Sequence, residues 1–339
     1  MNPQSLLARL MRTAAVLSLV LAGLAGCDSS SRIEPYVPTR MMSFGDDLSA
    51  VDGSGLKVNI NGASCGDNPL WNQRLASEMG LTLPNCPLGG TSNGVMGAVA
   101  GARVADIAAQ VAAARVSPGA AAFVPSTLVT VQGGLWDVID AYDVYKATAS
   151  GSQPAALVTL EAQLADKGRQ LAGLINDLTN NGAGPRVIYG TVPDLGCSPR
   201  AYADGIRISG SCQDQSSRSD ALTELTKAFN TAFRTAVIND GRYAGEVIFD
   251  DRLRSMTTTT PNALFSSLYL LFSDAESSLK TSACNTATPS TSCTTTTLVA
   301  NATSTNWLWA FDVIPGPAFH NQIAAGTAGA IFRARNNPF

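Results

Sequence analysis

Three aspartates stand where carboxylates could do chemistry. Asp46 and Asp47 follow the apolar run 41–44, and Asp137 comes shortly after a pair of glycines. Three converging carboxylates would suit a hard cation such as Ca²⁺ or Mg²⁺. A carboxyl pair about 5 Å apart beside a sugar-binding cleft would suit a retaining glycosidase. We favour a simpler role, in which Asp46 and Asp137 accept structural hydrogen bonds from loop backbone.

His320 is the only histidine of the chain, and it lies at the start of a predicted last helix. A histidine that reached back to Asp46 or Asp47 could act as a general base. The reading that we favour is a structural histidine near a helix N-terminus.

The elements that must position these residues alternate between strands and helices. The sequence predicts strands at Arg40–Phe44, Thr127–Val131, Arg186–Tyr189 and Glu246–Phe249. It predicts helices at Pro69–Met79 with Asn68 as cap, Val104–Val116, Trp136–Ala147, Ala155–Leu178, Arg218–Ile238 and Pro317–Arg335. The Thr-rich stretches Thr257–Thr260 and Ser282–Thr297 are predicted to be surface loops. Short apolar strands alternating with helices predict a parallel sheet covered on both faces, with functional residues at the carboxyl ends of the strands.

Three stretches of the chain resemble sequence blocks of one hydrolase family. Gly45-Asp46-Asp47-Leu48 resembles the Gly-Asp-Ser-Leu block that opens SGNH (GDSL-type) hydrolases, with Asp47 in the place of the serine. Ala100–Val104 resembles the second block, and Gly101 matches the glycine whose N–H helps to form the oxyanion hole. Val131–Asp137 resembles the third block, but Trp136 stands where the family has an asparagine.

The last block of the family is also present in altered form. Trp307–Pro315 resembles the segment that carries Asp-x-x-His-Pro, and alignment on Pro315 puts Phe311 and Ile314 at the aspartate and histidine positions. A shift by one residue would place Asp312 at the aspartate position and still leave no histidine. The resemblance implies a three-layer α/β/α, flavodoxin-like domain with a central parallel sheet, extending over residues 40–339.

The replacements remove the parts that ester hydrolysis needs. An ionised Asp47 has no proton to give, and Ile314 cannot act as a base. Loss of one oxyanion-hole donor costs about 10²–10³ in turnover, and loss of the nucleophile or base costs about 10⁶. The vestigial positions Asp47, Gly101, Trp136, Phe311 and Ile314 therefore predict that no catalytic set is intact.

The N-terminus resembles a bacterial lipoprotein signal. Arg9 and Arg12 precede a short apolar run that ends in Leu-Ala-Gly-Cys at Cys27. The sequence predicts a signal peptide over residues 1–26, lipidation of Cys27 and a tether over residues 27–39. A plain secretory peptide or a short membrane anchor is the alternative. The mature chain would sit in the cell envelope, facing the periplasm or the cell exterior.

Charge and cysteine content agree with export. Removal of residues 1–26 deletes two arginines and no acidic residue, which lowers the net charge from −3 to −5 and does not suit nucleic-acid binding. Six cysteines remain besides Cys27, which suggests disulfides. Proximity favours the pairs Cys65–Cys86, Cys197–Cys212 and Cys284–Cys293. We prefer these to a metal site, since the chain has no Cys-x-x-Cys motif, and we expect no cofactor.

Two functions from different classes follow from these observations. The first is an inactive SGNH-like lipoprotein that binds an envelope ligand or protein or acts as a scaffold, with Trp136 and Ile314 filling the former site. The second is an active esterase, lipase or other hydrolase whose chemistry has moved to Asp47 and His320 or to a carboxylate pair. The second would need an open polar pocket in which these groups lie within about 3.5 Å of each other or of a shared water.

Overall fold

A computed structural model describes residues 36–87, 94–204, 220–238, 243–247, 281–285, 289–325 and 330–336. Its strands are β1 (Arg40–Gly45), β2 (Val95–Met96), β3 (Thr127–Gln132), β4 (Arg186–Gly190) and β5 (Ala244–Val247). They form one parallel sheet in the order β2-β1-β3-β4-β5. The strands are short, and β1, β3 and β4 are mostly buried, as is usual for parallel strands covered on both faces.

Eight helices connect or flank the described strands. They are α1 (Trp71–Glu78), α2 (Val104–Ala114), α3 (Leu135–Ala147), α4 (Gln153–Thr179), α5 (Pro199–Ala203), α6 (Ala221–Ala236), α7 (Pro317–Ala325) and α8 (Ala330–Asn336). Helix α4 contacts α2, α3 and α6, whereas α1, α7 and α8 contact one another. The two groups of helices and the parallel sheet between them make the three-layer α/β/α fold.

The longest predicted helices follow the sequence pattern closely. Helix α6 turns Leu222, Leu225, Phe229 and Phe233 into the core, and all four are fully buried. Its N-cap is Asp220, whose Oδ1 accepts a hydrogen bond from the backbone N–H of Thr223 at 2.9 Å.

The start of α1 differs from the prediction. Asn68 has a positive φ of 49° and does not cap the helix. The N-cap is Leu70, and the backbone N–H of Leu70 donates to Oε1 of Gln73 at 2.9 Å. The side chain of Gln73 therefore accepts a hydrogen bond from a backbone N–H at the start of the helix, the role that was expected of Asn68.

Other helix and strand boundaries also differ from the predicted ones. The predicted last helix contains α7 and α8, and residues 326–329 between them lie outside the described residues. Strand β2 was not predicted, and β5 begins two residues earlier than expected, while Ile248 and Phe249 lie outside the described residues. The Thr257–Thr260 stretch lies outside them as well.

Disulfides fix two of the loops. Cys65 is bonded to Cys86 and Cys284 to Cys293, which confirms two of the expected pairs. Cys197 is also disulfide-bonded, and its expected partner, Cys212, lies outside the described residues. Among the described residues, no helix is both long enough and apolar enough to cross a membrane.

Candidate functional site

The carboxyl ends of β1, β3 and β4 lie side by side at one edge of the sheet. Gly45 of β1 is paired in register with Gln132 of β3, which in turn is paired with Gly190 of β4. The loops that follow β1 and β3 carry Asp46, Asp47 and the Gly133-Gly134 pair, so the sheet itself brings the first and third blocks together.

The turn after β1 is held from two sides. A Cβ atom on Gly45 would lie 2.3 Å from the carbonyl oxygen of Gln132, so only glycine fits there. The side-chain amide of Gln110, on α2, accepts from the N–H of Gly45 at 2.9 Å and donates to its carbonyl at 3.0 Å. This double contact fixes the direction in which the next two aspartates leave the strand.

Asp47 is the centre of the site. Its side chain is buried, and Oδ2 accepts a hydrogen bond from the N–H of Gly101 at 2.6 Å and another from Nε1–H of Trp136 at 2.5 Å. Burial raises the pKa of Asp47, while these two hydrogen bonds and the charge of Arg103 act to lower it. We call Asp47, Gly101 and Trp136 the anion corner, because its two N–H groups converge on one negatively charged oxygen.

Arg103 supports both donors of the anion corner. Gly101 has a φ of +79°, which glycine adopts without strain. Nη1 of Arg103 donates to the carbonyl of Gly101 at 2.6 Å, and the guanidinium lies 5.8 Å from the centre of the Trp136 ring. The same guanidinium makes two hydrogen bonds of 2.9 Å to the carboxylate of Asp140 on α3. One side chain therefore links the glycine loop, the indole and α3.

The two other aspartates accept backbone hydrogen bonds, as favoured from the sequence. Oδ1 of Asp46 accepts from the N–H of Leu48 at 3.1 Å, and Oδ2 of Asp137 accepts from the N–H of Val104 at 3.0 Å. Burial raises the pKa of both groups, and for Asp46 the nearby charge of Asp47 raises it further, well above its usual range. Oδ2 of Asp46 is buried and has no hydrogen-bond partner among the described residues.

Neither the aspartates nor other residue groups of the described chain form a set of three side chains that could hold a metal ion. The N-terminal turn of α2 explains the position of Asp137, because its carboxylate satisfies the free backbone N–H of Val104 there.

The segment 307–316, which we call the closing segment, is apolar where the family block carries its acid and base. Phe311 and Ile314 are buried, and the backbone N–H groups of Ala310 and Phe311 donate to the carbonyl of Ile314 at 2.8 and 3.1 Å. Nδ2 of Asn59 donates to the carbonyl of Pro315 at 2.9 Å. The turn is thus tightly held, but the two aligned side chains belong to the hydrophobic core.

Asp312, the other acid of the closing segment, faces a different group. Its Oδ2 lies 3.9 Å from Nη1 of Arg200, the guanidinium that also pairs with Asp143 and Asp204. Burial raises the pKa of Asp312, and the charge of Arg200 opposes that rise.

His320 lies on α7 and is completely buried. Its Nδ1 accepts a 3.4 Å hydrogen bond from the backbone N–H of Trp71, at the start of α1. Burial lowers the pKa of His320 to about 3, and the charge of Lys57 adds to this effect. The structure brings Asp47, Gly101 and Trp136 together, because Asp47 accepts hydrogen bonds from both other residues. His320 instead makes its hydrogen bond to the start of α1.

Three residues of the site were not identified from the sequence. Gln110 and Asp140 project from predicted helices, and Arg103 comes two residues after the glycine of the second block. The available signal was an arginine beside a loop glycine together with an acid on a neighbouring helix. Only the fold, which brings the start of α2 beside α3, turns that signal into a contact.

Comparisons with known proteins gave one family match and structural neighbours of low similarity. A family model described as GDSL-like lipase/acylhydrolase matches residues 41–259. The extracellular lipase from Streptomyces rimosus is 16% identical, with 62% of this chain and 80% of that chain covered and a TM-score of 0.36. The lipase Lip_vut3 from a goat rumen metagenome is 11% identical, with 86% and 99% covered and a TM-score of 0.40. The comparison with curated proteins found no match.

Proposed function

The chain belongs to the GDSL-like lipase/acylhydrolase family, and from this premise we propose that it is an inactive member that acts by binding or as a scaffold in the cell envelope. The observation that carries the proposal is the position of Asp47. Its carboxylate takes both N–H donors that would otherwise be free to bind a reacting oxygen.

An oxyanion hole works only if its donors are available when charge develops on the substrate. In this chain a substrate oxygen would have to displace a carboxylate that is held by two short hydrogen bonds. The displaced carboxylate would then be a buried charge without donors, which is costly. The residue that replaces the nucleophile therefore also occupies the position where the oxyanion of the transition state would bind.

The positions aligned with the catalytic acid and base also support an inactive protein. Phe311 and Ile314 offer no proton acceptor, and they are part of the core. A general base is most effective when its pKa lies near the working pH. His320, with a pKa lowered to about 3 and no exposure to solvent, is poorly suited to take a proton at neutral pH. These features support the inactive reading over a hydrolase that uses Asp47 and His320.

The test is a panel of p-nitrophenyl esters of different chain lengths. Wild type, Asp47→Ser and His320→Ala are all expected to give no turnover above background, because a serine at position 47 still lacks a base. Asp166→Ser, which changes an exposed acid on α4, is the matched control for mutation and purification. Wild-type turnover that persists in Asp166→Ser and disappears in His320→Ala would overturn the proposal.

We further propose that the chain is anchored by a lipid at Cys27, with residues 27–39 as a tether. The disulfides support a location in an oxidising compartment such as the envelope or the cell exterior. Metabolic labelling with an alkyne fatty acid should mark the wild type and Ser29→Ala but not Cys27→Ser. Equal labelling of all three would exclude Cys27 as the site.

A further inference from the structure

The amino ends of the strands form the edge of the sheet opposite to the anion corner. Arg40 begins β1 and is paired in register with the first residue of β3, and Arg186 begins β4 on the other side of β3. The loop between α2 and β3 lies at the same edge, since the backbone N–H of Thr39 donates to the carbonyl of Ser126 at 2.9 Å. We call the first residues of these strands, residues 36–39 and residues 115–126 the amino edge.

The amino edge exposes apolar side chains to solvent. Residues 112–126 contain a single charged residue, Arg115. Val116 is 86% exposed, and Val37 is 74% exposed. Val124 is exposed as well. Exposed apolar surface of this kind is typical of a region that contacts a partner or a membrane.

The exposed loop is fixed to the core. Phe123 stacks on Phe44 of β1, with the ring centres 6.5 Å apart. The hydroxyl of Thr127 donates to the carbonyl of Ala122 at 2.7 Å. The guanidinium of Arg115 lies 5.7 Å from the centre of the Phe123 ring, which holds the two arms of the loop side by side. The fold therefore presents the apolar side chains of this loop in a defined conformation.

The charged side chains of the amino edge are arginines. Arg40, Arg115 and Arg186 lie there, and no acidic residue stands within residues 36–39 or 115–126. Neither Arg40 nor Arg115 forms a salt bridge within the part of the chain that the structure describes. Arginines beside exposed apolar side chains suit a surface of anionic phospholipid headgroups, which attract the charge and accept the apolar groups at the acyl boundary.

We propose that the amino edge rests on a bilayer that contains anionic phospholipid, with its valines at the headgroup boundary and its arginines against the phosphates. The choice of a bilayer as partner rests on the proposed lipid at Cys27. The described chain begins at Tyr36, on this edge, and residues 28–35 would span at most roughly 30 Å from the lipid. A tether of this length keeps the edge close to the membrane, so a weak contact is enough to orient the domain.

This orientation has a consequence for the anion corner. Strand β3 has six residues, which span about 20 Å between the two edges of the sheet. With the amino edge on the bilayer, the carboxyl ends of the strands face away from it. A ligand of the anion corner would then arrive from the aqueous phase.

Vesicle co-sedimentation of the mature chain carrying Cys27→Ser tests the edge without the lipid. The chain should bind vesicles of phosphatidylcholine with about 30% phosphatidylglycerol. Binding should fall at least about tenfold with phosphatidylcholine alone or in about 0.5 M NaCl, because salt screens the arginines. Val116→Glu, in the same background, should also lower binding at least about tenfold. The matched control is Val158→Glu, near the start of α4 and about 30 Å along that helix from the end that leads into β4, and it should bind as the parent chain does.

A second pair of variants tests the charge contribution. Arg115→Gln should weaken binding about fivefold, as expected for one arginine near an anionic surface. Arg169→Gln, which removes the same charge from the exposed side of α4, should leave it unchanged. Circular dichroism and the melting temperature check that all four variants fold.

Absence of binding to the anionic vesicles, or equal binding by Val116→Glu and Val158→Glu, would overturn the proposal. So would self-association without lipid that Val116→Glu abolishes, since the edge would then bind protein. Loss of the anchor in the Cys27 labelling experiment would leave the vesicle result unaffected, so the two proposals fail separately.

Discussion

The anion corner and the closing segment differ in what has happened to their polar groups. In the anion corner every polar group is matched: Asp47 accepts from Gly101 and Trp136, and Arg103 supports both. In the closing segment the aligned positions are Phe311 and Ile314, and both lie in the core. The anion corner thus keeps its hydrogen-bond donors, which now bind the Asp47 carboxylate, whereas the closing segment contributes hydrophobic stabilisation.

This difference separates the features of such a site that depend on backbone conformation from those that depend on side-chain chemistry. The Gly101 donor and the turns of the anion corner come from glycine conformations and from loops fixed by the sheet register, so they persist when the side chain at position 47 is a carboxylate; the second donor is the Trp136 side chain. Proton transfer depends on side-chain chemistry alone. Once those side chains are packed into the core, a single substitution in the anion corner cannot supply the missing base.

The largest expected effect is in the closing segment. Phe311→Ala should lower the free energy of unfolding by about 3–5 kcal/mol, because it removes a fully buried ring and leaves a cavity. Val158→Ala, at a position 67% exposed, should change it by less than about 0.5 kcal/mol. Urea unfolding measures both. A cost for Phe311→Ala as small as that of Val158→Ala would remove the structural role assigned to the closing segment.

A medium effect is expected at the centre of the anion corner. Asp47→Ala leaves the N–H groups of Gly101 and Trp136 without an acceptor and should cost about 1–3 kcal/mol at neutral pH. Asp47→Asn keeps an acceptor oxygen in place and should cost clearly less. The comparison of the two variants by urea unfolding isolates the hydrogen bonds from the charge. Equal losses would mean that the donors do not depend on the side chain at position 47.

The smallest effect is a difference in pH dependence at Asp46. Its pKa is raised in the folded chain by burial and by the charge of Asp47. The folded state therefore holds the proton more tightly than the unfolded state, and the stability from this group is lost as pH rises from the ordinary aspartate pKa through the raised one. Asp46→Asn cannot titrate, so its stability relative to wild type should increase with pH over that window.

Melting temperatures at a series of pH values would measure this slope. Val158→Ala, which changes an exposed residue that does not titrate, is the control and should follow the wild-type profile. If Asp46→Asn also runs parallel to wild type, Asp46 is ionised in the fold as easily as in the unfolded chain.

Much of the architecture was predictable because strong periodic signals dominate it. The strands β1, β3 and β4 and the helices α4 and α6 match their predicted positions to within a few residues. Strand β2 has only two residues and no apolar run of its own, so its pairing depends on β1 rather than on local preference. The predicted cap of α1 was wrong because the Gln73 side chain accepts the backbone N–H of Leu70, a contact that replaces the expected Asn68 cap.

The site was predictable in part. The order of the blocks placed Asp47, Gly101 and Trp136 at neighbouring strand ends, and the structure brings them together. The sequence could not show that the Asp47 carboxylate turns into the donor pair, since this depends on side-chain rotation. The Arg103–Asp140 pair joins the loop before α2 to helix α3, and only the tertiary fold aligns them. The aligned positions Phe311 and Ile314 indicated lost chemistry, but their place in the core required coordinates.

Trp136 gives the anion corner an intrinsic optical probe. The other three tryptophans, Trp71, Trp307 and Trp309, are almost wholly buried, whereas Trp136 is half-buried and its indole is held between a carboxylate and a guanidinium. A bound molecule that took the Asp47 oxygen from the indole would alter the electric field across that ring. Its emission wavelength and quenching by iodide would then report occupancy directly, and a Trp136→Phe variant would supply the blank spectrum.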